Sequence, residues 1–150
     1  MGSFLRLDTI SPGLGRSFRE ANDDQRRRAT LEVCIFAISQ TGLEGEHIDS
    51  AIDYLRRGGS YPLAARRKLE ALTAQLDEQY FKLAEEADHV TREAVVFFRR
   101  ARAAAALVYS LSPSSERLHE AIYEAIHASK DRDEAILTAE KALRAGDDAR

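Results

Sequence analysis

Between Leu63 and Ser112 the chain has neither glycine nor proline, and apolar residues recur at every seventh position: Leu69, Leu76, Leu83, Val90, Phe97, Ala104 and Leu111. About a third of the 150 residues is thereby committed to helix. Taken as one rod, the run would be about 75 Å long at roughly 1.5 Å per residue, too long for a domain of this size unless it is a coiled coil. The partner positions of such a seam are Gln79, Glu86, Glu93 and Arg100, all polar, and they spoil it. The run is therefore predicted to break near Asp88 to Thr91, where either residue can cap a new helix, and to fold into an antiparallel hairpin.

Caps and stops place the remaining elements. Residues 1–21 include Ile10-Ser11-Pro12-Gly13-Leu14-Gly15, which interrupts both helical and strand periodicity and predicts an irregular N-terminal arm. Asn22, Asp23 and Asp24 offer N-caps and favourable charge for a helix running to about Gln40, with Gly42 as its stop. Its VCIFAI core is apolar nearly all round, so it is expected to be the most buried helix. A short helix carrying Ile48, Ala51, Ile52 and Leu55 on one face ends at Gly58-Gly59, and Ser60 and Pro62 open the long run. In that run's second half, Ala94, Phe97, Ala101, Ala104, Ala105 and Val108 share a face whose small side chains admit a close neighbour, which places this helix at the centre. Ser112-Pro113-Ser114 ends it, and helices over 115–128 and 131–145 follow before Gly146. The predicted architecture is all-α: a single-domain bundle of about six helices with a central antiparallel hairpin, spanning 22–146, and a tail at 147–150. No internal period of solenoid type is present.

A net charge of -3 and a pI near 5.8 remove any overall pull towards nucleic acid or an anionic membrane, and no stretch approaches the length needed to span a bilayer. Cys34 is the only cysteine, set among Val33, Ile35 and Phe36, where it reads as a buried small hydrophobe. Without a second cysteine there is no intrachain disulfide, and with no apolar leader in MGSFLRLDTISPGLG the expected location is cytoplasmic. Arg6 stands where a myristoylation signal requires Ser or Thr.

Four copies of Glu-x-x-His raise the question of metal: Glu44 to His47, Glu86 to His89, Glu116 to His119 and Glu124 to His127. In di-iron carboxylate bundles that spacing puts both ligands on one inward face. Orientation decides. At about 100° per residue, His119, Glu120, Tyr123 and His127 fall within roughly 60° of Glu116, whereas Leu118, Ala121, Ile122, Ala125 and Ala128 lie opposite. Burial of the aliphatic face leaves the imidazoles to water or a partner, and no cofactor is predicted. The metal alternative uses Glu86, His89, Glu124 and His127, with Glu32 or Glu93. A second candidate is RRGGSYPLAARRK, whose Arg56, Arg57, Arg66 and Arg67 form a basic turn ahead of a helix start, suited to an acidic partner or a phosphate. It lacks the spacing of a nucleotide-binding loop. Nucleophile elbows and Cys–His pairs are also absent from the sequence pattern, and no catalytic residue is assigned.

With RRRATLEVCIFAISQTGLEGEHIDSAIDYLRRG and FRRARAAAALVYSL in view, the chain resembles small, Ala- and Arg-rich, all-helical bacterial proteins of unknown function, some of them similar to immunity proteins that guard a cell against toxins. The resemblance spans about residues 20 to 145, lies in composition and helix order, and carries over no site residues. It implies a non-enzymatic protein that binds another protein, as an immunity-type inhibitor does. The acids around Asp77 to Glu93, or the face formed by His119, Glu120, Tyr123 and His127, would meet the basic cleft of the partner. The alternatives are the di-metal bundle and an oligomeric scaffold with Phe97, Phe98 or Tyr109 at a subunit interface.

Overall fold

In the computed structural model, residues 4–58, 61–87 and 91–146 are described, and all regular structure among them is helical. Asn22 begins the helix that sequence made clearest, α3 (Asp23–Thr41): its side chain accepts from the Gln25 N–H while the Gln25 side chain accepts from the Asn22 N–H, a reciprocal capping box. Gly42 ends it with φ of 70°, in the left-handed region where glycine carries no Cβ penalty. Next come α4 (Glu46–Arg57) and α5 (Leu63–Glu86), then α6 (Arg92–Ser110), which starts at Thr91, whose side chain accepts from the Ala94 N–H. The long run is thus two helices. Of the predicted break, Asp88, His89 and Val90 lie outside the described residues. A 3₁₀ turn (Ser115–Arg117) leads into α7 (Leu118–Ala128), and α8 (Arg132–Arg144) closes the fold, capped by Asp131.

The predicted irregular arm is corrected. Residues 7–20 form α1 (Leu7–Ile10) and α2 (Pro12–Glu20), the latter capped by the Ser11 side chain with Pro12 in the first turn. Ser-Pro here is a helix start, since proline at the first helical position forfeits an N–H that has no intrahelical partner anyway. Leu7, Leu14 and Phe18 are buried, so these helices belong to the bundle, and the described helices number eight rather than about six. Asp8 joins the two: it accepts from the Leu5 N–H and both its oxygens take Arg19. That guanidinium, ahead of the Leu5 N–H, holds the Asp8 carboxyl at a pKa of about 2. Gly15 makes room for the contact, because a Cβ there would collide with Asp8 Oδ1.

At the centre stands α6, which buries Ala94, Ala101, Ala103, Ala104, Ala105, Ala106 and Leu107 and packs against α3, α4, α5 and α7. Its alanines let neighbours approach closely, and dispersion contacts replace side-chain bulk. The expected central hairpin is corrected in turn: α5 runs antiparallel to α6, with Asp77 opposite Arg102 and Tyr80 opposite Phe98, but it lies on the outside and buries only Leu69. Nor is α3 the most buried helix. Its Ile35 and Phe36 are partly exposed, whereas α7 buries Leu118, Ala121, Ile122, Glu124, Ala125, Ile126 and Ala128. Cys34 is buried, and desolvation pushes its thiol up to about 12, leaving it an inert core side chain.

Two arginines finish helix ends. Arg26 donates to the Phe18 and Arg19 carbonyls at the end of α2 and lies 4.5 Å over the Phe18 ring, and Arg100 donates to the Thr41 carbonyl at the end of α3. Among the described residues no helix is long and apolar enough to cross a membrane.

Candidate functional site

The aliphatic side of α7 faces inward as its periodicity requires, but the opposite side is only partly open to water. It carries α1 and the segment before it. The Arg6 guanidinium donates to Glu120 through Nε at 3.1 Å and through Nη2, lies 3.7 Å from Glu124 Oε1, and stacks 4.2 Å from the Tyr123 ring centroid. Phe18 meets His119 edge-on at 5.6 Å, and His127 tilts against Tyr123 at 4.4 Å. Of the residues predicted to meet water or a partner, His119, Glu120 and Tyr123 thus meet the chain's own N-terminal residues, and His127 packs on Tyr123. Burial holds both imidazoles below their ordinary value; at His119 Glu120 pulls the other way, while Arg6, Arg26 and Arg19 push it further down.

Behind this cover lies a ladder of charge that joins four elements. Glu124, only 7% exposed in its side chain, accepts from Arg102 at 3.0 Å, and the other guanidinium nitrogen of Arg102 reaches both oxygens of Asp77 on α5 at 2.9 and 3.1 Å. A buried carboxylate of this kind persists because it is paired on both sides. The arrangement uses Glu124 up: both oxygens serve arginines, which is a structural tie rather than a ligand set. Of the metal alternative, His89 lies outside the described residues, Glu86 is exposed at the end of α5, and Glu32 pairs with Arg28 at 3.7 Å. Among the described residues no group of three or more His, Cys, Asp or Glu side chains is placed to hold a metal ion.

The basic turn is likewise divided. Arg56 and Arg57 end α4, where positive charge suits the helix dipole, and Arg57 bonds Asp53 at 2.6 Å. Arg67 is exposed. Arg66 alone of the four lines a cavity of about 520 Å³, together with Tyr54, Tyr61 and Arg27. Gly59 and Ser60 lie outside the described residues. Sequence reasoning had no means to select Tyr54 and Tyr61, because a tyrosine on a partly apolar face is ordinarily packing; their signal is three-dimensional. Their rings meet edge-on at 4.9 Å, and among the described residues neither buried hydroxyl has a hydrogen-bond partner. Each such group costs about 1–3 kcal/mol.

The other exposed feature is α5 itself. Leu63, Arg67, Glu70, Ala74, Glu78, Phe81 and Glu85 fall on one outward stripe, with Leu63 61% and Phe81 60% exposed. The predicted interface residues Phe97 and Phe98 are partly buried, Phe98 against Tyr80, while Tyr109 is exposed. No family model matches the chain, and no curated protein or solved structure matches it either.

Proposed function

We propose that this is a non-enzymatic protein that works by binding another protein, and that the acidic end of α5 is the part that binds. One observation carries the proposal. Glu78, Glu85 and Glu86 crowd the C-terminal half of α5 with no basic residue in the last turn, where the helix dipole disfavours negative charge. Charge held against the dipole is not there for the helix. Glu78 and Glu85 bracket the exposed Phe81 on one stripe, an aromatic anchor with an acidic rim, which suits a partner presenting an apolar recess ringed by Lys or Arg. The other surface considered, the Glu120/His119/Tyr123/His127 side of α7, is occupied by Arg6 and Phe18 and so is the weaker candidate. The immunity-type inhibitor is the specific form of this proposal, with a basic toxin as partner.

The test compares the native protein with a Phe81→Ser, Glu78→Lys, Glu85→Lys variant after cross-linking in the source cells. A basic partner recovered in near-equal amount with the native chain, and lost from a variant that melts no lower than the native chain, supports the proposal. Retention of the same partner by the variant refutes it. For the immunity form, co-expression should relieve the growth arrest caused by that partner, and failure to do so leaves binding without protection.

A further inference from the structure

The outward side of α5 is spaced alike in both directions. Ala64, Arg67, Ala71, Ala74, Glu78 and Phe81 are all exposed, and the steps between them are three, four, three, four and three residues. Steps of that kind form the seam of a two-helix coiled coil. The seam lies across α5 from Leu69, Asp77 and Tyr80, which face the bundle, so a second helix can settle on it without displacing α6. Because the steps are palindromic, another copy of α5 laid antiparallel sets Ala64 against Phe81, Arg67 against Glu78 and Ala71 against Ala74, each layer occurring twice about a two-fold axis.

We propose that α5 pairs antiparallel with α5 of a second copy of this chain, in a two-fold dimer whose charge layers join Arg67 of one copy to Glu78 of the other. Charge complementarity selects this occupant. Among the described residues Arg67 and Glu78 make no ion pair within the chain, and the antiparallel register gives each an opposite charge. A parallel pair would set Arg67 on Arg67 and Glu78 on Glu78, which repel. Leu63 and Phe81, 61% and 60% exposed, are the large hydrophobics that α5 leaves in water, and the same register brings them together at both ends of the seam. The alanine layers between let the two helices approach closely. The dimer covers the stripe assigned above to a protein partner and so holds that site closed until the partner displaces the second copy; this consequence rests on that assignment, whereas the pairing does not.

Sedimentation equilibrium of the purified full chain at low salt tests the pairing with no partner present. A seam one helix long buries little surface, so the native chain should pass from monomer to dimer with a Kd on the order of 10 µM. Arg67→Glu and Glu78→Arg each put like charges in both charge layers, and each should weaken the dimer at least about tenfold. An equimolar mixture of these two variants should recover native-like association, because every charge layer then joins opposite signs, and the double variant should recover it by itself. Recovery on mixing also shows that both variants are folded. A native chain that stays monomeric at about 0.5 mM overturns the inference. So does a dimer that both single variants leave intact, since it uses another face. Dissociation of the single variants without recovery in the mixture or the double variant overturns the antiparallel register. Failure here leaves the protein-partner reading to its own test in cells, and failure there leaves the dimer standing.

Discussion

Helices α8 and α5 draw on the same residue types and arrange them in opposite electrostatic order. In α8 the Asp131 cap, Asp133 and Glu134 stand at the start and Lys141 and Arg144 at the end, so the terminal charges agree with the macrodipole except for Arg132 at the first helical position. Along one side it buries Ala135, Ala139, Ala142 and Leu143. By contrast α5 has Arg66, Arg67 and Lys68 near its start, Glu85 and Glu86 at its end, no side-chain cap, and Leu69 as its sole buried residue. Beyond propensity, length and the exposed Arg66–Glu70 pair, little local favours α5, and it is held by α6 and by the Asp77–Arg102 bonds. The difference separates charges that serve folding from charges left for another use.

The comparison can be broken at four places. Leu69→Ala has the largest effect: removing the one fully buried anchor of α5 should cost about 2–4 kcal/mol, with hydrogen exchange showing lost protection in α5 and its contact with α6 while α8 stays protected. Loss spread evenly over both helices would mean that α5 is no more weakly held than α8. Next, Arg102→Met strands the buried Glu124 and unties Asp77, and should cost about 2 kcal/mol in urea unfolding; adding Glu124→Leu should restore much of it, since a well-packed apolar pair removes the unmet charge. Swapping end charges is a smaller test with opposite signs. Glu85→Lys and Glu86→Lys should each stabilise by about 0.5 kcal/mol at low salt, Lys141→Glu should destabilise by a similar amount, and high salt should shrink all three.

The smallest effect is pH dependence, and it should spare α5, which contains no histidine. His119 and His127 have folded pKa values below their ordinary 6.5. The unfolded chain therefore takes up protons that the folded chain refuses, so stability is complete above about pH 6.5 and declines as pH falls from there towards the folded values. Urea midpoints on either side of pH 6.5 should show the decline, and His119→Gln with His127→Gln should flatten it.

What sequence could and could not convey follows from the range of each interaction. The bounds of α3 were legible because Asn22, Gln25 and Gly42 act within a turn of the residues they cap. The inward face of α7 was legible because Leu118, Ile122 and Ala125 repeat at helical spacing. The helix α2 was missed although its signal was local: Ser11 caps and Pro12 follows, with Leu14 and Phe18 four apart, and proline was read as a break when it marked a start. The peripheral place of α5 was hidden for a different reason, since a seven-residue spacing of Leu69, Leu76 and Leu83 gives the same pattern whether one neighbour covers it or three. The cover over α7 and the pairing of Tyr54 with Tyr61 depend on contacts between distant elements or across a turn, which no periodicity encodes.

The bond from Arg6 to Glu120 joins residues 114 apart in the chain. During synthesis, Leu7, Leu14 and Phe18 leave the ribosome long before the surface that will cover them has been made, so for most of translation this amphipathic opening stretch must stay wet, rest on a chaperone, or cling to whatever greasy surface is near. Residues made this early in the chain are among the last that can settle, and crowding or slow elongation should be felt there.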